Sequence, residues 1–174
     1  KNLINLFSQG DISNLVSGIH CHYNIIERRF EKELMNLVIK KKMSFLSFQA
    51  FARGFLTGKY SPTKKILKNT RAYNSRRFDR FFKKEMFESL ERIKSLGKKY
   101  NCSLKEIAIK WLINKSYLNC AVLGFRNLKQ AREIIRIVNK KSNKNMQKEV
   151  DKLIAKDIYL SKYIYNIPNP FMEY

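Results

Sequence analysis

The sequence contains few of the residues that stabilise small secreted domains, with only 3 cysteines and 3 prolines among 174 residues. The cysteines, Cys21, Cys102 and Cys120, form no CxxC pair, and an odd number cannot close a complete set of internal disulfides. We therefore expect no disulfide framework and a reducing compartment.

The sequence also lacks a long hydrophobic run. No apolar stretch approaches the roughly 18 to 20 residues that span a bilayer, and no secretory leader opens the chain, so we expect a cytoplasmic protein with no membrane contact. The chain begins at Lys1 rather than at a methionine. Whether an N-terminal part, including any organellar targeting peptide, precedes Lys1 is therefore left open.

Acidic residues are scarce, at 14 against 36 lysines and arginines, and the formal net charge is +22. Such an excess is typical of proteins that bind nucleic acid or anionic membranes. Here the cations are spread from Lys1 to Lys162, interleaved with asparagine and isoleucine, and no stripe-forming motif accompanies them. We attribute the charge to the composition of the coding gene and do not expect a nucleic-acid partner.

Histidines number only 2. His20 and His22 flank Cys21, which would place the two imidazoles on one face of a strand, but further carboxylate or histidine ligands are not nearby. We expect no metal site.

What the chain does contain is enough apolar material for one core. Its hydrophobic share is 44%, far from the composition of disordered chains, and 174 residues suit one domain, taken as 1–174.

Helical spacing predicts a helix from Phe30 to the basic run at 40–42, a long helix over 78–100, and a last helix over about 146–158. Capping-box spacing begins two more helices, at Ser103 with Glu106 and at Asn127 with Gln130. Short apolar segments at 15–20, 43–48 and 120–123 predict strands, and the glycines Gly54 and Gly58 predict a loop. Helix-length connections between short strands indicate a parallel sheet, although three strands do not close a barrel.

Three blocks in this order resemble the C-terminal part of the aldo-keto reductases. The first is 23–31, a tyrosine-asparagine stretch followed by Arg28 and Glu31. The second, 48–60, is similar to the family's seventh-strand loop with its Gly-Leu-Leu-Thr-Gly-Lys-Tyr run, and Thr70-Arg71-Ala72 follows as in the branch that includes potassium-channel β subunits. The third, 123–133, resembles the eighth-strand signature. The blocks cover most of residues 15–155.

The resemblance implies an α/β fold, a (β/α)8 TIM barrel of which only about strands six to eight and their helices lie in this chain. The rest of the barrel would then lie N-terminal to Lys1. The implied function is hydride transfer between NADPH and an aldehyde or ketone, at the carboxyl ends of the strands.

The resemblance also implies roles for individual residues. Phe48 would carry the nicotinamide ring, Arg126 would bind the adenosine 2′-phosphate, and Gln130 and Glu133 would contact the adenosine. The pyrophosphate would lie against the backbone N–H groups of 51–54, with Lys59 and Arg71. The complete set of expected cofactor-binding residues is His20, Phe48, Gln49, Phe51, Arg53, Gly54, Lys59, Arg71, Gly124, Phe125, Arg126, Gln130 and Glu133.

Several positions depart from the family's pattern. His20 stands where a glutamine usually binds the carboxamide, Gln49 and Ala50 replace serine and proline, Phe125 replaces a small residue, and Ile134 replaces an asparagine. The Asp, Tyr, Lys and His that transfer the proton lie on the family's first four strands, and nothing here matches those motifs. No catalytic residue is therefore assigned.

Two alternatives stay open. The chain could be a non-catalytic relative that binds a nucleotide or a protein, or, from its charge alone, a basic nucleic-acid-binding module.

Overall fold

The computed structural model describes residues 15–63, 66, 68, 70, 72–73, 78–79, 81–157 and 160. In chain order its elements are β1 (Gly18–His22), α1 (Phe30–Glu33), α2 (Met35–Lys40), β2 (Ser44–Phe48), a 3₁₀ segment (Ala52–Thr57), α3 (Lys84–Lys99), α4 (Leu104–Ile113), β3 (Cys120–Ala121), α5 (Leu128–Asn139) and α6 (Lys144–Lys156).

The three strands form a parallel sheet in the order β1-β2-β3, as the alternation of strands and helices predicted. His22 lies beside Phe48, and Leu46 lies beside Cys120. Side chains alternate between the two faces of a strand. One face of β2 carries Phe45 and Ser47, which are fully buried beneath the helices, whereas Leu46 and Phe48 on the other face are only partly buried.

The two predicted capping boxes are confirmed at their N-caps. The Ser103 hydroxyl accepts a hydrogen bond from the Glu106 N–H at 3.1 Å and begins α4. The Asn127 side chain accepts one from the Gln130 N–H at 3.0 Å and begins α5. Helix α4 places Ile107 and Trp111 in the hydrophobic core, and this packing fixes the position of the helix behind the sheet.

Element boundaries differ from the predictions in places. The long helix begins at Lys84 rather than at Phe78, because Phe81 and Phe82 pack on Phe55, with ring centroids 5.3 and 5.6 Å apart, instead of continuing the helical face. The last helix starts two residues early and ends at Lys156.

The strands shift as well. The first strand lies at 18–22 rather than 15–20, since Leu15 is 83% exposed and contributes no pairing, and β3 is two residues long. The glycine-containing loop after β2 folds into the 3₁₀ segment. The predicted irregular tail with Pro168 and Pro170 lies outside the described residues. Across the described part of the chain, every helix is too short or too polar to cross a bilayer.

Candidate functional site

The segments that follow β2 and β3 enclose a pocket of about 490 Å³ at the carboxyl ends of these strands. Such a volume is within the range of small-molecule sites. The pocket is lined by Phe48, Gln49, Ala50, Phe51, Arg53, Gly54, Thr57, Lys59, Lys105, Val122, Leu123, Gly124, Arg126, Gln130, Glu133 and Ile134. The structure therefore brings together all but three of the cofactor-binding residues expected from the sequence.

The three exceptions have different causes. His20 does not line the pocket, because it is two residues before the end of β1, where its ring lies 4.6 Å from that of Phe48. Phe125 does not line it either, since its side chain is 56% exposed. Arg71 lies outside the described residues.

The backbone of the segment after β2 is strained. Gln49, Ala52 and Arg53 have φ of 59°, 45° and 58°, in the left-handed region that costs a non-glycine residue about 1–3 kcal/mol. Gly54, with φ of 97°, occupies the same region without a side-chain clash. Strain of this kind is common where a loop is shaped to hold a ligand.

Asn24 holds the start of this strained segment in place. Its fully buried amide donates to the Gln49 carbonyl at 2.9 Å and to the Glu27 carboxylate at 2.6 Å. Its carbonyl oxygen accepts from the Ile26 N–H at 3.0 Å. Asn24 was part of the resemblance but had no assigned role. Its contact with Gln49 joins residues 25 positions apart, so no local sequence pattern predicts it.

Gly54 also provides space for a lysine. A Cβ on Gly54 would lie 2.8 Å from both Cε and Nζ of Lys59, so the lysine crosses directly over the glycine. Within the same turn, the Ala52 N–H donates to Gln49 and the Gly54 N–H to Phe51. Two of the four N–H groups expected at the pyrophosphate are thus engaged inside the turn.

The segment after β3 is anchored to the first turn of α5. The Gln130 side chain accepts from the Arg126 N–H at 2.9 Å, while the Asn127 side chain caps the helix. This arrangement fixes the Arg126 backbone at the edge of the pocket, with its side chain exposed.

Six lining residues were outside the expected cofactor-binding set, namely Ala50, Thr57, Lys105, Val122, Leu123 and Ile134. Lys105, on α4, places its Nζ 2.6 Å from each oxygen of Glu133 on α5. The 28-residue separation explains why the sequence showed no sign of the pair. The described lining side chains include four cations and one carboxylate, that of Glu133, so the pocket favours an anion. The cations are Arg53, Lys59, Lys105 and Arg126.

The lining is composed mainly of cationic, amide and apolar side chains. None of the described lining side chains is Tyr, His, Cys or Asp. The nearby core tyrosine, Tyr23, is fully buried, and its burial together with the Glu31 carboxylate raises its pKa far above the ordinary value. Burial likewise raises the pKa of the Cys21 thiol to about 12, against a small opposing effect of Arg29. The Tyr23 hydroxyl and the Cys21 thiol therefore stay protonated, and both are buried away from the pocket lining. The described residues also form no group of three or more His, Cys, Asp and Glu suited to a metal ion.

Three known proteins are similar to this chain in sequence or in fold. The aldo-keto reductase YhdN of Bacillus subtilis is 23% identical over 154 residues, which covers 86% of this chain and 46% of that protein. The solved glycerol dehydrogenase of Gluconobacter oxydans superposes with a TM-score of 0.67 at 21% identity, covering 97% of this chain and 49% of that one. The holo form of an aldo-keto reductase from Bacillus halodurans superposes with a TM-score of 0.63 at 19% identity, covering 87% and 46%.

This chain thus spans about half the length of the relatives it matches. The superpositions confirm the fold expected from the resemblance, an α/β arrangement that is part of a (β/α)8 barrel. The family model for aldo/keto reductases matches residues 15–155, which is most of the sequence, and the chain belongs to the aldo/keto reductase family.

Proposed function

We propose that this chain is the C-terminal, cofactor-binding part of an oxidoreductase that transfers hydride between NADPH and an aldehyde or ketone. In this proposal its strands are the sixth to eighth of the barrel, and the remainder of the barrel completes the substrate site. A dinucleotide has an aromatic base at each end and a pyrophosphate between them, and the pocket lining includes both an aromatic ring, Phe48, and several cations.

The observation that carries the proposal is the convergence of two separate segments on one cationic pocket. The segment after β2 contributes Phe48, Arg53 and Lys59, and the segment after β3 contributes Arg126. An aromatic face suits the nicotinamide, and cations suit the pyrophosphate and the 2′-phosphate. When bound, NADPH would supply the hydride, while the residues of this chain bind and orient it.

An unsatisfied polar atom in one of the lining residues supports the fit. Gln49 Oε1 is buried and has no hydrogen-bond partner among the described residues, although buried polar atoms are nearly always paired. Gln49 directly follows Phe48, so its amide is suited to the carboxamide of a nicotinamide stacked on that ring. It would replace the glutamine that the family usually has at the position of His20.

A second candidate is a non-catalytic nucleotide-binding relative. The observation that favours it is that the described lining side chains are suited to hold an anion and include no Tyr, His, Cys or Asp. Two further predictions stay proposals, a cytoplasmic location and membership of the branch that includes potassium-channel β subunits. The nucleic-acid alternative, which was based on net charge, also stays a prediction.

The Arg126→Ala variant tests the proposal. A guanidinium at this position makes charge-assisted hydrogen bonds to a phosphate monoester that NADH lacks, each contributing roughly 1.5 to 3 kcal/mol. We expect NADPH affinity to fall about tenfold or more while NADH affinity is nearly unchanged, as measured by the fluorescence of the reduced nicotinamide.

The matched control is Arg132→Ala, which removes an exposed arginine of α5 that does not line the pocket. Equal losses for both nucleotides, or no loss in Arg126→Ala, would contradict the assignment. Failure of the wild-type protein to bind either nucleotide would reject the proposed function.

A further inference from the structure

Asn24 is a fully buried asparagine whose side-chain amide is held from several directions. Its nitrogen donates to the Glu27 carboxylate at 2.6 Å and to the Gln49 carbonyl at 2.9 Å, and its oxygen accepts from the Ile26 N–H. The backbone groups of Asn24 and Glu27 also pair with each other in both directions, at 3.2 Å. Rotating the amide would break its three bonds where water does not reach, so its nitrogen is a fixed donor.

The bond to Gln49 falls where the strained turn, residues 49–54, begins. Gln49 has φ of 59°, in the left-handed region that a residue with a side chain keeps only when its surroundings hold it there. Its carbonyl oxygen accepts from Asn24 and also from the Ala52 N–H at 2.7 Å, so these two donors orient the peptide that follows Gln49. The Ala52 N–H belongs to the turn itself, whereas Asn24 holds the turn from outside.

The residue before the turn is held in a different way. The Tyr23 N–H donates to the Phe48 carbonyl at 3.3 Å, which extends the pairing of β1 with β2. Any residue except proline can make that backbone bond, whereas the bond to Gln49 needs the side-chain amide of Asn24. A substitution at Asn24 therefore removes the hold on the turn and leaves the strand pairing in place.

Asn24 does not line the pocket, yet the turn that it holds forms one side of it. The lining residues from the turn are Gln49, Ala50, Phe51, Arg53 and Gly54. The other side is held by α5, where Asn127 caps the helix and the Gln130 side chain accepts from the Arg126 N–H. The two sides of the pocket are thus supported by separate contacts.

We propose that Asn24 is a positioning residue of the nucleotide site, which acts through Gln49 to hold the turn in the shape that receives the pyrophosphate. The inference rests on the proposed function, since it assigns a role within the same site. Loss of the Asn24 amide should weaken binding of the part of the cofactor that meets the turn and spare the part that meets α5.

The test compares NADPH, which contacts both sides of the pocket in this proposal, with adenosine 2′-monophosphate, which has neither a pyrophosphate nor a nicotinamide. In Asn24→Ser the shorter side chain loses the bond to Gln49, and the turn relaxes toward unstrained backbone. We expect NADPH affinity to fall about tenfold or more, while the affinity for adenosine 2′-monophosphate changes by less than about twofold. Nicotinamide fluorescence measures the first affinity and titration calorimetry the second.

A second variant keeps the test decisive if Asn24→Ser fails to fold. Glu27→Gln leaves the bond from Asn24 to Gln49 in place but removes the charged acceptor that anchors the amide. We expect a smaller fall in NADPH affinity, again with the affinity for adenosine 2′-monophosphate retained. Circular dichroism establishes that each variant is folded.

The matched control is Asn114→Ser, which removes an amide that also joins two segments, with its nitrogen 2.6 Å from the Lys110 carbonyl and 2.9 Å from the Ser142 hydroxyl. Asn114 does not line the pocket, and both affinities should be unchanged in this variant.

A purely structural role for Asn24 would weaken both ligands alike, or neither, in a folded variant. Either result would reject the positioning role while NADPH binding by the wild-type protein still supported the proposed function. If the wild-type protein binds neither NADPH nor adenosine 2′-monophosphate, the proposed function fails and this inference with it.

Discussion

Asp151 connects three parts of the molecule through one carboxylate. From α6 it accepts a hydrogen bond from the Trp111 indole at 2.8 Å and pairs with Arg28 at 2.9 Å and Lys115 at 3.4 Å. Burial alone would raise the pKa of Asp151, but the positive charge of Arg28, the indole N–H and Lys115 together hold it below the ordinary value. The ionised form is thus the one that stabilises the fold.

We predict that Asp151→Asn destabilises the protein in a pH-dependent way. A carboxyl whose pKa is lower in the folded state contributes stability above its unfolded pKa, near 3.9, and this contribution is lost as the pH falls through the folded value. With the side chain 39% exposed, solvent screening limits the effect at pH 7 to on the order of 1 kcal/mol.

Urea unfolding followed by circular dichroism at pH 7 and at about pH 3 measures this difference. The difference between wild type and variant should shrink at the lower pH. Asp79→Asn, at an exposed position, is the control. A deficit of the same size at both pH values would show that the charge of Asp151 is not what stabilises the protein.

For individual residues, contacts between near neighbours in the sequence were predictable, and contacts between residues far apart in the sequence were not. Ser103 and Asn127 act within three residues along the chain, so the sequence was enough to identify their caps. The Asn24–Gln49 and Lys105–Glu133 contacts depend on how separate elements meet. The structure places His20 against the Phe48 ring rather than in the pocket lining, and this position also depends on how two separate strands pair.

Between elements, a close approach occurs where α3 ends and α4 begins. A Cβ on the buried Gly97 would lie 2.5 Å from the Cys102 carbonyl oxygen and 2.7 Å from Ile107 Cδ1. The first of these atoms belongs to the backbone and cannot rotate away. Gly97 therefore allows the two helices to pack with no side chain between them.

We predict that Gly97→Ala lowers the free energy of unfolding despite the better helix propensity of alanine. Replacing a mid-helix glycine gains up to about 1 kcal/mol, whereas overpacking costs about 1–3 kcal/mol, and contact with backbone puts the cost at the upper end. Thermal unfolding followed by circular dichroism should show a lower midpoint. Ser95→Ala, at an exposed position of α3, should not. A variant at least as stable as wild type would mean that the helix ends shift freely.

Helical periodicity predicted the middles of the elements better than their ends. The apolar spacing from Phe78 onward fits a helix, yet packing against Phe55 holds Phe81 and Phe82 outside α3. An aromatic cluster of this kind depends on tertiary contacts, which override local spacing.

At the scale of the molecule, one side of α5 is exposed within the part of the chain that the structure describes. Leu128, Ile135 and Val138 are 72%, 58% and 43% exposed, and three apolar side chains on one helix form a surface that normally meets a partner. The partly exposed inner face of the sheet has the same character, since a closed barrel would bury it.

We predict that the purified chain self-associates. Sedimentation velocity should show species larger than a monomer at micromolar concentration, and Ile135→Ser should shift the distribution toward the monomer, because it removes apolar surface from that side. Ile39→Ser, which changes a similarly exposed isoleucine of α2, is the control. A monomer throughout the concentration series would contradict the prediction.

The environment of Trp111 has an optical consequence. It is the only tryptophan in the sequence, its side chain is 1% exposed, and its ring centroid lies 4.2 Å from the Arg28 guanidinium and 4.1 Å from the Lys115 ammonium. Indole emission from this protein, selected by excitation at ~295 nm where tyrosine absorbs little, therefore originates at one known point, in contact with two cations. When α4 separates from its neighbours, the indole loses the Arg28 contact and gains water together. The wavelength of the tryptophan emission then reports the separation of α4 from the core, and no label has to be attached.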